Sequence, residues 1–205
     1  MASEHQQLLI HELNHRVKNT LATVQAFTTQ SLRSAMSLGE AREAITARLI
    51  ALAKAHDLLT AEKWESADLS RIVSDALCLH NADRQRCRWQ GDAVRVVPRT
   101  ALALSMMLHE LATNATKYGA LSNETGAVSV SWATVEDAND PYEAGPRLTM
   151  HWRERDGPPV LPPTRRGFGS RMIERGLANE LGGKVKIFYE PAGAVCTLDI
   201  PLEAS

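Results

Sequence analysis

No run of 18 apolar residues interrupts this chain, so nothing in it reads as a membrane-spanning helix. The amino-terminal MASEHQQ is polar and has none of the apolar core of a secretory leader. An excess of one charge is equally missing. Twenty-three Lys and Arg against 24 Asp and Glu leave a formal net charge of −1, which gives no ground for expecting nucleic acid or an anionic membrane as partner. The three cysteines, Cys78, Cys87 and Cys196, are odd in number and lack metal-ligand spacing. They read as ordinary thiols of a reducing cytoplasm. Internal repeats and low-complexity segments are absent too. What remains is a length of 205 residues, room for one mid-sized domain or for a small helical element plus a domain of about 130 residues with a real core.

The amino-terminal third is helical by its pattern. Over residues 6–34, Leu9, Ile10, Leu13, Val17, Leu21, Val24 and Phe27 fall within one arc, giving the helix a seam to bury. Gly39 and its small polar neighbours mark a turn, and residues 40–60 carry Ile45, Leu49, Leu52, His56 and Leu59 on a second stripe. Such a hairpin cannot cover both seams unaided, so it is expected to pair with a second copy in a four-helix bundle or to pack on the rest of the chain. His56, inside a stripe, is expected in the core. His15 lies opposite the first seam, beside His11, Lys18 and Asn19, and faces water.

Residues 62–67, with Trp64, look like the joint to a second domain. Asp68 can cap a helix running to about residue 80, with Leu69, Ile72, Val73, Ala76 and Leu77 inward. Residues 86–90 and 93–96 alternate like two short strands around Gly91-Asp92, and Pro98 suits the first position of another helix. In that helix Leu104, Leu108, Leu111 and Ala115 share one stripe, while Glu110, Asn114 and Lys117 form a row on one flank. A carboxylate, an amide and an ammonium in one row suit a nucleotide: the amide oxygen for Mg²⁺, the carboxylate for orienting a nucleophile, the ammonium for phosphate. The same row is also what the wet side of an ordinary amphipathic helix looks like.

Residues 127–134 and 147–154 alternate as strands, separated by the polar EDANDPYEAGP. Leu148, Met150, Trp152 and Glu154 share a face, so Glu154 points into the interior, where a carboxylate is costly unless satisfied. The proline-rich PPVLPPTRR suits a lid carrying Arg165 and Arg166, and Gly167-Phe168-Gly169-Ser170 leads into a helix over 171–181 whose start can meet phosphate. Gly182-Gly183 ends that helix, and 184–189 with 194–201 form a closing hairpin.

Several of these stretches resemble one family. LNHRVKNTLATVQA resembles the phosphoacceptor box of the histidine kinases, with His15 as acceptor. HELATNATKYGALS resembles the N box of their HWE subfamily, in which His109 precedes Glu110, and Trp152-Arg153-Glu154 matches the subfamily's Trp-x-Glu element. Gly167-Phe168-Gly169 is similar to the G2 box. The likeness covers nearly the whole chain. It implies an α+β protein: a helical hairpin over 1–65 for dimerisation and histidine phosphotransfer, then over 66–205 a two-layer α/β sandwich of the Bergerat type that binds ATP.

The resemblance implies a cytoplasmic ATP-dependent histidine kinase that phosphorylates His15 and passes the phosphoryl group to a response-regulator aspartate. Asn114 would ligate Mg²⁺, and Glu110 or Glu12 would take the proton. Lys117, His109, Trp152, Glu154, Asp156, Gly157, Arg166, Gly167, Phe168 and Gly169 would line or support the nucleotide site. Two departures from the pattern stand out. Arg16 follows the acceptor where an acid is common, leaving Asn19 or Glu12 to orient His15. Asp156 stands where a glycine is usual, offering a rival to Glu154, the acid expected to read adenine.

Three other readings compete. A phosphotransfer protein with a degenerate ATP site, or an anti-sigma-type serine kinase, would share the architecture. His11-Glu12-Leu13-Asn14-His15 satisfies the zinc-protease pattern H-E-x-x-H, but only ten residues precede it and no third ligand follows closely.

Overall fold

The computed structural model describes residues 11, 17–18, 20–22, 24–26, 28–29, 31–33, 35, 37–61, 65–78, 84–136, 145–160, 170, 173–174, 178 and 181–203. The chain forms two compact units, Met1–Leu49 and Ile50–Ser205. Every described residue between 11 and 33 is helical, and these make α1. Helix α2 spans Leu38–Ala61. The turn expected at Gly39 is instead the first turn of α2: the carbonyl of Ser37 accepts the Ala41 N–H at 3.0 Å, opening the helix one residue before the glycine.

Inside the first unit a buried arginine joins the helices, Arg48 donating to Ser31 Oγ at 2.5 Å. The apolar seams are only partly covered, for Val17 is 48% and Leu21 60% exposed. On α2 the buried line runs through Ala41, Arg48, Ala51, Leu52, Ala55, Leu58 and Leu59. Leu49 and His56 lie outside it and are exposed, which corrects the expectation that His56 sits in the core. Three of these seven are alanines, which a count of bulky side chains passes over. Of the joint expected at 62–67, residues 62–64, with Trp64, lie outside the described residues.

The second unit begins its sheet structure with β1 (Ala67–Asp68) and α3 (Leu69–Cys78). Asp68 caps α3 as expected, its Oδ1 accepting the Arg71 N–H at 3.1 Å, and all five residues expected inward are buried. Strands β2 (Cys87–Gly91) and β3 (Arg95–Val96) follow, the two short strands expected around Gly91-Asp92, but they do not pair with each other. β3 turns back to pair antiparallel with β1, its Arg95 Nε donating to Ser66 Oγ at 2.7 Å. β2 runs parallel to β4 (Ala127–Glu136). Asp92 holds that parallel pair rather than a turn: its Oδ2 accepts from the Thr134 N–H at 2.8 Å and its carbonyl from the Trp132 indole at 2.9 Å.

Helix α4 (Pro98–Lys117) starts with proline at its first turn, as expected. β4 pairs antiparallel with β5 (Pro146–Arg155), and β6 (Lys184–Glu190) with β7 (Gly193–Pro201) closes the sheet in the order β2-β4-β5-β7-β6. Alternate residues of β5 point inward, Leu148, Met150, Trp152 and Glu154 all buried. α3 packs against α4 and β2, so helices form the second layer of an α/β sandwich.

Candidate active site

Helix α4 positions the first group. Leu104, Leu108, Leu111 and Ala115 bury one face, which orients the flank carrying the polar row. Glu110 is buried, Asn114 half-buried and Lys117 exposed, so the row climbs from interior to water in two turns. A neutral amide oxygen between a buried carboxylate and an exposed ammonium is a donor set that fits a hard cation with attached phosphates. Lys117 also lies in the helix's last turn, where a cation meets the negative end of the helix dipole.

The closing hydrogen bonds of the helix fall on Asn114, whose carbonyl accepts the N–H groups of Tyr118 at 2.8 Å and Gly119 at 3.0 Å. A 3₁₀ turn follows at Ala120–Ser122. Arg86 clamps the segment beyond it: Nε donates to the Gly126 carbonyl at 2.7 Å, and one NH2 group donates to the carbonyls of Asn123 at 2.6 Å and Ala120 at 3.2 Å.

That turn docks on the end of β5. Glu154 is 3% exposed. Its Oε2 accepts the Ala120 N–H at 2.8 Å, and its Oε1 accepts the Trp152 indole N–H at 3.2 Å. Burial pushes the Glu154 carboxyl above its ordinary value, against these two hydrogen bonds, which favour the ionised form. Gly119 makes the approach feasible, since a Cβ there would collide with Glu154 Oε2. Gly157 has a similar role on the other side of the turn, where a Cβ would strike the main chain of Ala120.

Asp156 adopts a left-handed backbone, φ 57°. Its carbonyl accepts from Asn123 Nδ2 and from Thr125 Oγ1, each at 3.1 Å, while its side chain is exposed. An aspartate tolerates this conformation better than most residues, so it can stand where the family pattern has glycine. Asp156, Arg86, Arg88, Arg155 and Ser129 line a cleft of about 270 Å³.

The structure brings Asn114's helix end, Glu154, Asp156 and Gly157 together through the 119–126 segment. His109 lies elsewhere: it is buried on the side of α4 toward α2 and α3, lining a cavity of about 20 Å³ with Lys54, Leu58, Asp75 and Ser105. Trp152 is buried in the core with its indole turned to Glu154. Near the expected G2 box, Ser170 Oγ and Tyr189 Oη share a hydrogen bond of 2.8 Å and Glu174 Oε1 accepts the Ile187 N–H at 3.3 Å, tying Ser170 and Glu174 to β6. Glu12, His15, Asn19, Arg165, Arg166, Gly167, Phe168 and Gly169 lie outside the described residues. Sequence reasoning missed Arg86 and Gly119. No spacing rule marks Arg86, whereas the glycine directly after the helix-ending Lys117-Tyr118 was a visible signal of a tight approach.

Comparison with known proteins bears on the same segments. A family profile described as HWE histidine kinase matches residues 12–93. The chain is 37% identical over 202 residues to a blue-light-activated histidine kinase of Brucella ovis, covering 98% of this chain and 40% of that protein. To a blue-light-activated histidine kinase of Brucella anthropi it is 41% identical over 198 residues, 96% of this chain and 39% of the relative. The chain thus spans about two fifths of the length of the curated relatives it matches. Among solved structures, the Erythrobacter litoralis EL346 blue-light activated histidine kinase superposes with a TM-score of 0.63 at 22% identity, over 95% of this chain and 59% of that one. This last likeness is one of fold.

Proposed function

We propose, on the premise that the chain belongs to the HWE histidine kinase family, that it is a kinase core: residues 66–205 bind Mg·ATP, and His15, in the hairpin of residues 1–65, receives the γ-phosphoryl group and hands it to a response-regulator aspartate. The observation that carries this reading is the α4 row of Glu110, Asn114 and Lys117, graded from interior to water and tied at its end to the acid-bearing terminus of β5.

Asn114 offers the oxygen for Mg²⁺, and Lys117 answers phosphate charge. The metal, when bound, spreads the charge developing on the transferred group. Arg166, Gly167, Phe168 and Gly169 enclose the phosphates, and an acid at the end of β5, Glu154 or Asp156, meets the adenine amine, with Gly157 keeping the backbone close. His109 and Trp152 work behind the site, the first holding α4 and the second supporting Glu154.

His15 attacks the γ-phosphorus through a neutral ring nitrogen. An N–P bond forms as the P–O bond to ADP breaks, and the ring's other N–H proton passes to Glu110 or Glu12 while Asn19 steadies the imidazole. Attack occurs within one subunit or across a homodimer; the exposed Val17 and Leu21 of α1 support pairing of two hairpins. We assign the chain to the cytoplasm, where ATP is available. Among the described residues no helix is long and apolar enough to cross a membrane.

Incubation with γ-labelled ATP tests the reading. An acid-labile, base-stable label is expected on the parent, absent from His15→Ala and slowed about 100-fold in Asn114→Ala. An acid-stable label, or His15→Ala labelling as fast as the parent, overturns it.

A further inference from the structure

The face of the sheet turned away from the helix layer carries a basic trench. On β4 the residues of that face, Ala127, Ser129 and Ser131, are small and half-buried, while Val128, Val130 and Trp132 point to the core. Pairing sets long side chains on both sides of them. Arg88 of β2 is in register with Ser129, and Arg153 and Arg155 of β5 stand opposite Ser129 and Ala127. The trench ends in the cleft of about 270 Å³ bordered by Arg86, Arg88, Ser129, Arg155 and Asp156, which has room for roughly nine waters.

The lining is rich in uncommitted donors. Arg88 and Arg155 are exposed, and among the described residues no carboxylate pairs with either. Arg86 uses three of its N–H groups on the carbonyls of Gly126, Asn123 and Ala120, which fixes the side chain and leaves the Nη1 end for another acceptor. Ser129 Oγ has only a long contact, 3.4 Å, with the Arg153 carbonyl. Three guanidinium groups around one cleft repel one another, and an anion between them turns that repulsion into attraction.

We propose that this cleft binds the phosphate group of a small phosphate monoester, held by Arg88, Arg155 and the Nη1 end of Arg86. A planar carboxylate matches one guanidinium fork. A tetrahedral phosphate turns oxygens toward several forks at once and carries about 1.5–2 negative charges at neutral pH. Asp156, the one carboxylate of the lining, disfavours a bare anion and calls for a ligand body that donates a hydroxyl, as a sugar phosphate does. The site lies on the other face of the sheet from the α4 row and does not depend on the nucleotide reading. It does border the segment after α4. Arg86 holds that segment by three carbonyls, and the Asp156 carbonyl holds it through Asn123 and Thr125, so a bound phosphate is expected to firm residues 120–126.

The full chain is titrated with ribose 5-phosphate, inorganic phosphate and acetate, with amide NMR as the readout. Ribose 5-phosphate is expected to saturate one site, to move the signals of Arg88, Ser129 and Arg155, and to bind about threefold or more tighter than inorganic phosphate. Acetate at equal concentration does not displace it. Arg88→Gln and Arg155→Gln each weaken binding about tenfold without lowering the melting temperature, while Asn114→Ala leaves it unchanged within about twofold. At saturation the Gly126 amide exchanges about threefold more slowly.

The site is overturned if nothing saturates by about 10 mM, if the moving signals centre on Asn114 and Lys117, or if Asn114→Ala abolishes binding. Displacement by acetate overturns the phosphate class, and unchanged Gly126 exchange takes Arg86 out of the site. Should an arginine variant fail to fold, the pattern of moving signals in the parent decides.

Discussion

A carboxylate at 3% exposure changes the protein's response to pH. Because burial raises the Glu154 pKa, the folded chain holds that proton more tightly than the unfolded chain does. The contribution of this group to stability is therefore greatest below the ordinary carboxylate pKa and is lost as pH rises from there through the raised folded value. Carboxyl ¹³C NMR is expected to show Glu154 titrating above the exposed glutamates, and a Glu154 resonance that moves with theirs contradicts the burial argument. At this scale the sequence was most informative where alternation forced a side chain inward. Period two along β5 placed Glu154 inside, but its hydrogen-bond partners, Ala120 and Trp152, follow from the fold and not from that period. His56 illustrates the reverse, a stripe drawn through large residues where Ala51 and Ala55 share the buried face with the leucines.

Elements were legible when their signals were local. Asp68 as cap, Pro98 as first residue, and the stripe of α4 each depend on residues within one or two turns, and each stands as expected. The pairing of β2 was not legible in this way: Gly91-Asp92 is a plausible turn dipeptide, yet the partner of β2 is β4, about forty residues downstream. The segment after α4 depends similarly on a distant residue. Replacing Arg86 by Ala strands the Ala120, Asn123 and Gly126 carbonyls and is expected to lower unfolding free energy by about 2–3 kcal/mol. Lysine is expected to recover less than half of that, because one ammonium cannot fork across three acceptors. Thermal melts of both variants check this; an unchanged midpoint in Arg86→Ala means the clamp is dispensable.

For the whole molecule, composition set the class, and the order of the boxes set the architecture. Neither could supply the parallel edge of the sheet or the position of His109 behind α4, since those depend on contacts between segments far apart in sequence. Association is the property most open to test at this scale. Val17 and Leu21 present an apolar stretch of α1 to water. If two chains pair through it, light scattering finds a dimer for the parent and a monomer for a variant carrying Val17→Glu and Leu21→Glu, with the sheet domain's melting unchanged. On the proposed kinase reading, a parent that scatters as a monomer leaves transfer within one chain as the route to His15.

The parallel pairing of β2 with β4 also orders events during synthesis. A hairpin strand finds its mate as soon as the next few residues emerge; β2 leaves the ribosome with its neighbour still untranslated, and α4 is made during the delay. A nascent chain halted between residues 91 and 127 would hold amphipathic helices without the five-stranded sheet they close on. That interval is when the polypeptide most needs chaperones and is most open to proteases.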